Sequence, residues 1–210
     1  MPKIVTLYSY TFSVYSWIAR LTLHEKGIDY TVVEVNPFAS GTKNPHPFGR
    51  VPVLRHGDFS LYETNAITRY IDTAFQGPSL TPAAPAELAR MTQIIAILDS
   101  YGYWPMVRQV FSHGVFRPLM GETSCKEEVE AGLVSAQKTL AALEDIASEG
   151  LILNKTQITL ADCHLIPFMD CFTRATDGAR LLATYPALSL WWNRVAKLQN
   201  VVKTRPQLPV

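Results

Sequence analysis

A proline-rich segment at residues 77–85 separates two stretches of the chain that differ in hydrophobic periodicity. This segment (GPSLTPAAP) holds three prolines and one glycine, which together cannot continue a helix. Before it, short strand signals alternate with short helix signals; after it, apolar residues recur at helical spacing. The pattern predicts a small α/β domain at residues 1–76, a linker at 77–85 and an all-helical domain at 86–210.

The α/β part has the predicted order βαβ followed by ββα. Gly27 is expected to end the first helix, and His56-Gly57-Asp58 is expected to turn a hairpin between two β-rich runs. The predicted strands and helices are residues 3–8 (β), 14–26 (α), 30–35 (β), 53–55 (β), 59–62 (β) and 64–75 (α). In the second part, helices are predicted at residues 87–110, around 129–147, from 158 onward and at 186–198. Thr159 and Asp162, at the start of the third of these helices, have the spacing of an N-cap and its reciprocal acid, a variant of the capping box.

Composition and charge exclude several classes of function. The formal net charge is +1, and no Lys/Arg run is interleaved with aromatic residues, so nucleic acid is not an expected partner. Apolar runs such as residues 94–98 are far shorter than the roughly 20 residues that cross a bilayer, and no secretory signal is recognisable, so no membrane partner is expected.

The three cysteines are too few for a disulfide framework, which favours a reducing compartment and a cytoplasmic protein. Cys163-His164 and Cys171 could suggest a metal site. No fourth ligand and no CxxC motif accompanies them, so we expect core residues and no metal.

Three motifs, in their order and spacing, carry a resemblance to a known family. They are residues 13–16 (SVYS), 48–54 (FGRVPVL) and 61–71 (LYETNAITRYI). The chain resembles the cytosolic glutathione S-transferases over essentially its whole length, and residues 23–27 (LHEKG) look like the end of the first helix in the plant phi class. The resemblance implies a thioredoxin-like domain that binds glutathione, followed by an all-α domain that contributes the electrophile site. It also implies an enzyme that conjugates the glutathione thiolate to electrophilic small molecules.

The resemblance assigns the Val51-Pro52 bond and two loop cations to glutathione. From sequence alone an X-Pro bond is most often trans. Relatives keep this bond cis, which would turn the Val51 N–H and C=O outward to pair with the cysteinyl backbone of glutathione as an added strand would. Lys43 and Arg50 lie in the loop that faces the other end of the peptide, where either could neutralise the glycyl carboxylate.

Glu63 and Thr64 stand where the fourth predicted strand ends and the helix of the ββα unit begins. Thr64 is expected to be the N-cap of that helix, because its neighbouring N–H groups and the positive end of the helix dipole suit an anion. The γ-glutamyl carboxylate is such an anion, and Glu63 could take the α-ammonium beside it. The alternative is that Thr64 only caps its own helix and Glu63 is solvated.

The catalytic candidate is Ser13. A thiol with a pKa near 8.5 is only about 3% ionised at pH 7, and lowering that pKa by about two units needs roughly 2.7 kcal/mol. A hydroxyl that donates to a charged sulfur offers about 1.5–3 kcal/mol, and the dipole of the first helix adds roughly 0.3–1 kcal/mol. Ser16 could reach back to the Ser13 backbone as a second cap. Tyr8, at the end of the first strand, is the alternative that tyrosine-type relatives would use.

The second substrate is expected to meet side chains from both parts of the chain. An aromatic-rich stretch of the second part faces two aromatic residues before the first helix; these candidates are Tyr103, Trp104, Val107 and Phe111, with Tyr10 and Phe12 opposite. Each of them could equally be a core or dimer-contact residue.

The resemblance also implies a homodimer. Ile94, Ile95 and Leu98 give the long helix an apolar face for a partner, and Asp99 could reach the γ-glutamyl ammonium across the interface.

Two other functions stay open. One is a glutathione-dependent peroxidase, isomerase, dehalogenase or ether-cleaving enzyme. The other is a non-catalytic binding or regulatory module. No cysteine lies in the first 124 residues, which argues against thiol–disulfide exchange.

Overall fold

The structure is a computed structural model, and it describes residues 4–39, 41, 43–153 and 157–209. A four-stranded sheet in the order β2-β1-β3-β4 forms the first part. β2 runs parallel to β1, and β3 and β4 are antiparallel to their neighbours, so the predicted βαβ–ββα order is confirmed. The elements are β1 Val5–Ser9, α1 Val14–Glu25, β2 Thr31–Glu34, β3 Val53–His56, β4 Phe59–Tyr62 and α2 Thr64–Ala74.

The second part is helical. α3 continues without a break into α4, in which the hydrogen bonds have the wider π-type spacing, and the predicted helix therefore extends past residue 110. The helices are α3 Pro85–Ile97, α4 Leu98–Phe116, α5 Arg117–Leu119, α6 Lys126–Ser148, α7 Leu160–Arg174, α8 Thr176–Leu182, α9 Pro186–Val195 and α10 Gln199–Thr204. In the part of the chain that the structure describes, no helix is long and apolar enough to cross a membrane.

Helix α1 packs into two hydrophobic cores. Ala19 and Leu23 belong to the core beneath the sheet, whereas Trp17 and Ile18 join the larger core of the helical part. The Trp17 indole N–H also donates to Thr204 Oγ1 at 2.8 Å, which ties α1 to the end of the chain. Helix α1 therefore belongs to both cores, with its first residues in the larger one. The domain boundary at residues 77–85 stays a prediction.

The ends of two helices follow the sequence signals. Gly27 adopts a φ of +67°, and its N–H donates to the His24 carbonyl at 3.0 Å, which ends α1 as predicted. At the start of α7, Asp162 accepts from the backbone N–H of Thr159 at 2.9 Å and completes the predicted capping box. Cys163, His164 and Cys171 are buried within α7.

Candidate active site

A cavity of about 610 Å³ opens between the start of α1, the loop before β3, the start of α2 and one face of α4. Most of the predicted site residues line it: Tyr10, Phe12, Ser13, Arg50, Val51, Pro52, Glu63, Thr64, Tyr103, Val107 and Phe111. Polar groups from the first part of the chain form one side of the cavity, and aromatic side chains form much of the rest.

Three predicted or alternative residues do not line this cavity. Lys43 lies exposed in the loop, and its prediction as a glutathione contact is not supported by this geometry. Trp104 is 62% exposed and does not line the cavity, although Arg108 and Ser112, which follow it at steps of four, do. Tyr8 pairs with Val53 within the sheet and does not line the cavity either.

Ser13 is the N-cap of α1. Its backbone is extended, with φ −78° and ψ 123°, and its Oγ accepts a hydrogen bond from the Ser16 N–H at 3.2 Å. A hydroxyl that accepts in this way keeps its own proton available to donate. No acceptor for that proton is found among the residues that the structure describes, so the Ser13 O–H is free to meet a sulfur in the cavity.

The turn before Ser13 is fixed by three hydrogen bonds that involve the side chains of Ser16 and Arg20. Ser16 Oγ accepts from the Tyr10 N–H at 3.2 Å, so the prediction that Ser16 caps the Ser13 backbone is wrong: the chain turns at Tyr10, which brings that N–H closer. Arg20 donates to Ser9 Oγ at 2.8 Å and to the Thr11 carbonyl at 3.1 Å. These contacts hold the segment that presents Ser13 to the cavity.

The Val51-Pro52 peptide bond is cis, which confirms what the resemblance implied. Pro52 is buried beneath the cavity, while Val51 is partly exposed. The Val51 N–H and C=O have no hydrogen-bond partner within the described residues and are available to an extended ligand. The preceding loop is fixed by Asn44, whose side-chain amide donates to the Arg50 carbonyl at 3.0 Å.

Helix α2 begins one residue earlier than the predicted cap implies. Glu63, not Thr64, is the N-cap, and Thr64 is the first helical residue. Glu63 has φ +70°, a sparsely populated conformation for a residue with a side chain, and no side chain caps the first N–H groups of α2. The buried Thr64 hydroxyl and these N–H groups therefore form an open anion site, with the Glu63 carboxylate beside it.

His46 is a cavity residue that the sequence analysis missed. Only 6% of it is exposed, and its Nδ1 accepts from the Phe48 N–H at 3.1 Å. The neutral ring therefore carries its proton on Nε2, which lies 3.9 Å from Glu63 Oε1. Burial lowers the pKa of His46, although Glu63 opposes the shift. An isolated histidine in a proline-rich loop gives no sequence signal of this role.

Asp99 lines the cavity of its own chain. Its place there therefore does not depend on a partner chain, whereas the prediction had Asp99 reach the ligand across a dimer interface. Burial raises the pKa of Asp99, a hydrogen bond from Tyr15 opposes this, and the negative charge of Glu63 adds to it. Burial and the neighbouring Asp99 raise the pKa of Tyr15 above its usual range, so its hydroxyl stays protonated. Two carboxylates therefore face the same side of the cavity, where a ligand ammonium would fit.

The aromatic side of the cavity forms a continuous series of rings. The Tyr10 and Phe12 centroids lie 5.6 Å apart, Phe12 and Phe116 lie 5.3 Å apart, and Phe116 and Phe111 lie 6.0 Å apart. Phe116 was not predicted, because the proposed helix ended at residue 110. Over residues 4–39, 41, 43–153 and 157–209, no cluster of three or more His, Cys, Asp or Glu side chains could hold a metal ion.

Comparisons with known proteins agree with this arrangement. The family descriptions that match are "Glutathione S-transferase, N-terminal domain" over residues 7–79 and "Glutathione S-transferase, C-terminal domain" over residues 107–199. Glutathione S-transferase F13 of Arabidopsis thaliana is 30% identical over 197 residues, which cover 90% of each chain. The structure of glutathione S-transferase III in apo form has a TM-score of 0.83 at 26% identity and covers 99% of this chain and 98% of its own. Glutathione transferase F7 from Populus trichocarpa has a TM-score of 0.82 at 25% identity and covers 96% and 97%.

Proposed function

The chain belongs to the glutathione S-transferase family, and we propose that it conjugates the thiolate of glutathione to electrophilic small molecules. One observation carries the proposal: unpartnered polar groups follow one another across the cavity and end at an aromatic wall. They begin at the open N-terminus of α2, pass through the free amide of Val51 and end at the free hydroxyl of Ser13. This is the order in which glutathione offers its γ-glutamyl carboxylate, cysteinyl backbone and sulfur.

The γ-glutamyl end binds at α2 in this proposal. Thr64 and the first N–H groups of the helix take the carboxylate. Glu63 and Asp99 take the ammonium, and the buried His46 lies beside Glu63, with Nε2 3.9 Å from Oε1. Arg50, at the loop before β3, neutralises the glycyl carboxylate. Arg50 and the two acids thereby provide opposite charges for the two ends of the peptide.

The reaction needs the sulfur as a thiolate. The thiol proton leaves to solvent, and the Ser13 hydroxyl donates a hydrogen bond to the resulting anion at the positive end of α1. The sulfur then attacks the electrophilic atom of a substrate held against Tyr10, Phe12, Phe111 and Phe116. Retention on immobilised glutathione, followed by turnover with aryl halides, epoxides and hydroperoxides, tests this function against the peroxidase and non-catalytic alternatives.

Thr64→Val is expected to raise the dissociation constant of glutathione about 10- to 150-fold. Valine keeps the shape of threonine but cannot donate to the carboxylate, and a hydrogen bond to a charged group contributes about 1.5–3 kcal/mol. Titration calorimetry with glutathione measures the change. Thr73→Val, an exposed position at the other end of α2, is the matched control and should leave affinity unchanged. Equal affinities in both variants would contradict the assignment of Thr64.

A homodimer is part of the proposal. Large aromatic side chains are exposed on both parts of the chain: Phe48 at 70%, Tyr62 at 42% and Tyr101 at 68%. Sedimentation should give twice the 23.5 kDa chain mass at micromolar concentration. Phe48→Ala should raise the dimer dissociation constant about 30-fold, the loss expected of a buried aromatic anchor. Leu190→Ala, which removes an equally exposed side chain on α9, should not, and a monomeric parent protein would contradict the dimer.

A cytoplasmic location and a role in detoxification complete the proposal. The three cysteines, Cys125, Cys163 and Cys171, are all free thiols, as is usual in a reducing compartment. A broad aromatic cavity suits a range of foreign electrophiles rather than one metabolite.

A further inference from the structure

Arg108 is a cation in the cavity for which glutathione provides no obvious partner. It lies on α4 and lines the cavity together with Val107 and Phe111. It is partly buried, and within the described residues its guanidinium has neither an ion pair nor a hydrogen bond. A guanidinium presents five N–H donors in a fixed plane, and placing it against apolar walls is unfavourable unless an acceptor meets it.

The surroundings of Arg108 differ from those of the glutathione groups. The acids of the cavity, Glu63 and Asp99, stand at the ammonium end, and Asp99 precedes Arg108 by about two helical turns on α4. Arg50, proposed for the glycyl carboxylate, belongs to the loop before β3 and not to α4. Arg108 is therefore not needed to bind either carboxylate of glutathione.

A second polar group accompanies Arg108 on the same face. Ser112 follows it by four residues on α4 and also lines the cavity, and its hydroxyl has no partner in the described chain. Phe111 and Phe116 belong to the ring series that begins at Tyr10. The cavity therefore combines an aromatic wall with a planar cation and a hydroxyl.

We infer that the second substrate is an aromatic electrophile with a carboxylate or sulfonate group, which Arg108 binds in a bidentate manner and Ser112 supports. The inference rests on the proposed function, because it names the class of electrophile for that same site. An arginine fork matches two oxygens of an anionic group and fixes its plane, so the aromatic ring would be oriented towards the sulfur at Ser13.

Binding without turnover tests the anion site directly. The probes are 1-anilinonaphthalene-8-sulfonate and N-phenyl-1-naphthylamine, which share one ring system and differ by the sulfonate. Only the fluorescence that is lost when S-hexylglutathione displaces the probe is counted, so that probe bound elsewhere on the protein does not contribute. Arg108→Gln should weaken the sulfonate about 5- to 30-fold and the neutral amine by less than about twofold, because only the sulfonate loses charge-assisted hydrogen bonds.

A matched variant and a glutathione titration are the controls for this result. Arg55→Gln removes an exposed arginine on β3 that does not line the cavity, and it should change neither probe. Arg108→Gln should also leave glutathione affinity unchanged. A loss of glutathione affinity, or an equal loss for both probes, would overturn the inference, since Arg108 would then serve the peptide or the general shape of the cavity.

Turnover with two aryl chlorides provides the second arm. In 4-chloro-3-nitrobenzoate and 4-chloro-3-nitrobenzamide the thiolate forms a C–S bond at the chlorinated carbon, and chloride leaves with the C–Cl electron pair. Because the two rings differ in intrinsic reactivity, each is compared across variants. From parent to Arg108→Gln, kcat/KM should fall about tenfold for the benzoate and less than about twofold for the benzamide.

The two arms separate the failure of the inference from the failure of the proposed function. A parent protein that conjugates the benzamide, yet shows no anion preference that depends on Arg108, retains the function and loses the anion site. A parent protein that conjugates neither chloride, yet prefers the sulfonate through Arg108, retains the anion site and loses the transferase function.

Discussion

Ser13→Ala is expected to lower turnover at about pH 6.5 by one to two orders of magnitude and to leave glutathione binding nearly unchanged. In the proposed binding mode most contacts of the peptide lie at Val51, Glu63 and Thr64, which line the cavity and which the substitution does not touch. The thiolate keeps the dipole of α1 but loses the hydroxyl donor, which contributes about 1.5–3 kcal/mol. At about 1.4 kcal/mol per unit, the pKa of bound glutathione should rise by one to two units.

The sign of this shift determines the pH dependence. A higher thiol pKa lowers the thiolate fraction at about pH 6.5, whereas at about pH 9 the thiol ionises unaided, so part of the lost activity should return there. Thiolate absorbance in the ultraviolet, titrated against pH with glutathione bound, measures the pKa directly. Tyr8→Phe is the comparison, and it should change the titration little because Tyr8 does not line the cavity.

Each outcome assigns the role to a different group. If Tyr8→Phe shifts the titration and Ser13→Ala does not, the serine assignment is wrong. If neither variant shifts it, a backbone N–H at the start of α1 carries the role, because Ser16 is fully buried and does not line the cavity. Parent protein that never ionises bound glutathione below about pH 8 would favour a binding module over an enzyme.

The sequence predicted those elements whose signals are local. Gly27 ends α1, the turn at His56-Gly57-Asp58 joins β3 and β4, and Thr159 caps α7, since each depends on a few neighbouring residues. The two short helices α8 and α10 were missed, because they span only one or two turns and owe their form to packing.

The site was predicted where a motif exists and missed where only geometry decides. Ser13 and Val51-Pro52 stand in recognisable motifs, whereas His46 enters the cavity through the course of a loop. The two errors on α4 differ in cause. The helix continues past residue 110 and adds Phe116 to the cavity, whereas the spacing of the exposed Trp104 does not distinguish it from Arg108 and Ser112, which line the cavity.

Lys26→Met is expected to lower the stability of the fold strongly. Lys26 Nζ lies 3.2 Å from Asp72 Oδ1 and also donates to the carbonyls of Asp72 and Pro78, at 3.0 and 2.9 Å. Asp72 in turn accepts from the Leu80 N–H at 2.9 Å and from Thr81 Oγ1 at 2.6 Å. The buried pair therefore joins the end of α1, the end of α2 and the segment that leads to the helical part.

Removing the lysine leaves Asp72 buried without its counter-ion. Breaking a buried pair in this way costs about 3–5 kcal/mol, so the free energy of unfolding in urea, measured at one fixed protein concentration, should fall by that amount. Lys126→Met is the matched control. Its ammonium lies 3.4 Å from Glu130 with both side chains exposed, and its loss should cost about 0.5 kcal/mol or less. Equal losses in the two variants would contradict a structural role for the Lys26–Asp72 pair.

The pH dependence and a double variant separate charge from packing at Lys26. Burial alone would raise the pKa of Asp72, but hydrogen bonds from Thr81, Leu80 and Lys26 outweigh it and hold that pKa below its usual value. The stabilisation is therefore complete above the unfolded pKa of about 3.9 and is lost as the pH falls through the lower, folded value. In Lys26→Met/Asp72→Asn no charge remains buried, so much of the lost stability should return. If the double variant is no more stable than Lys26→Met, the loss arises from the hydrogen bonds to the carbonyls of Asp72 and Pro78 and not from the unpaired carboxylate.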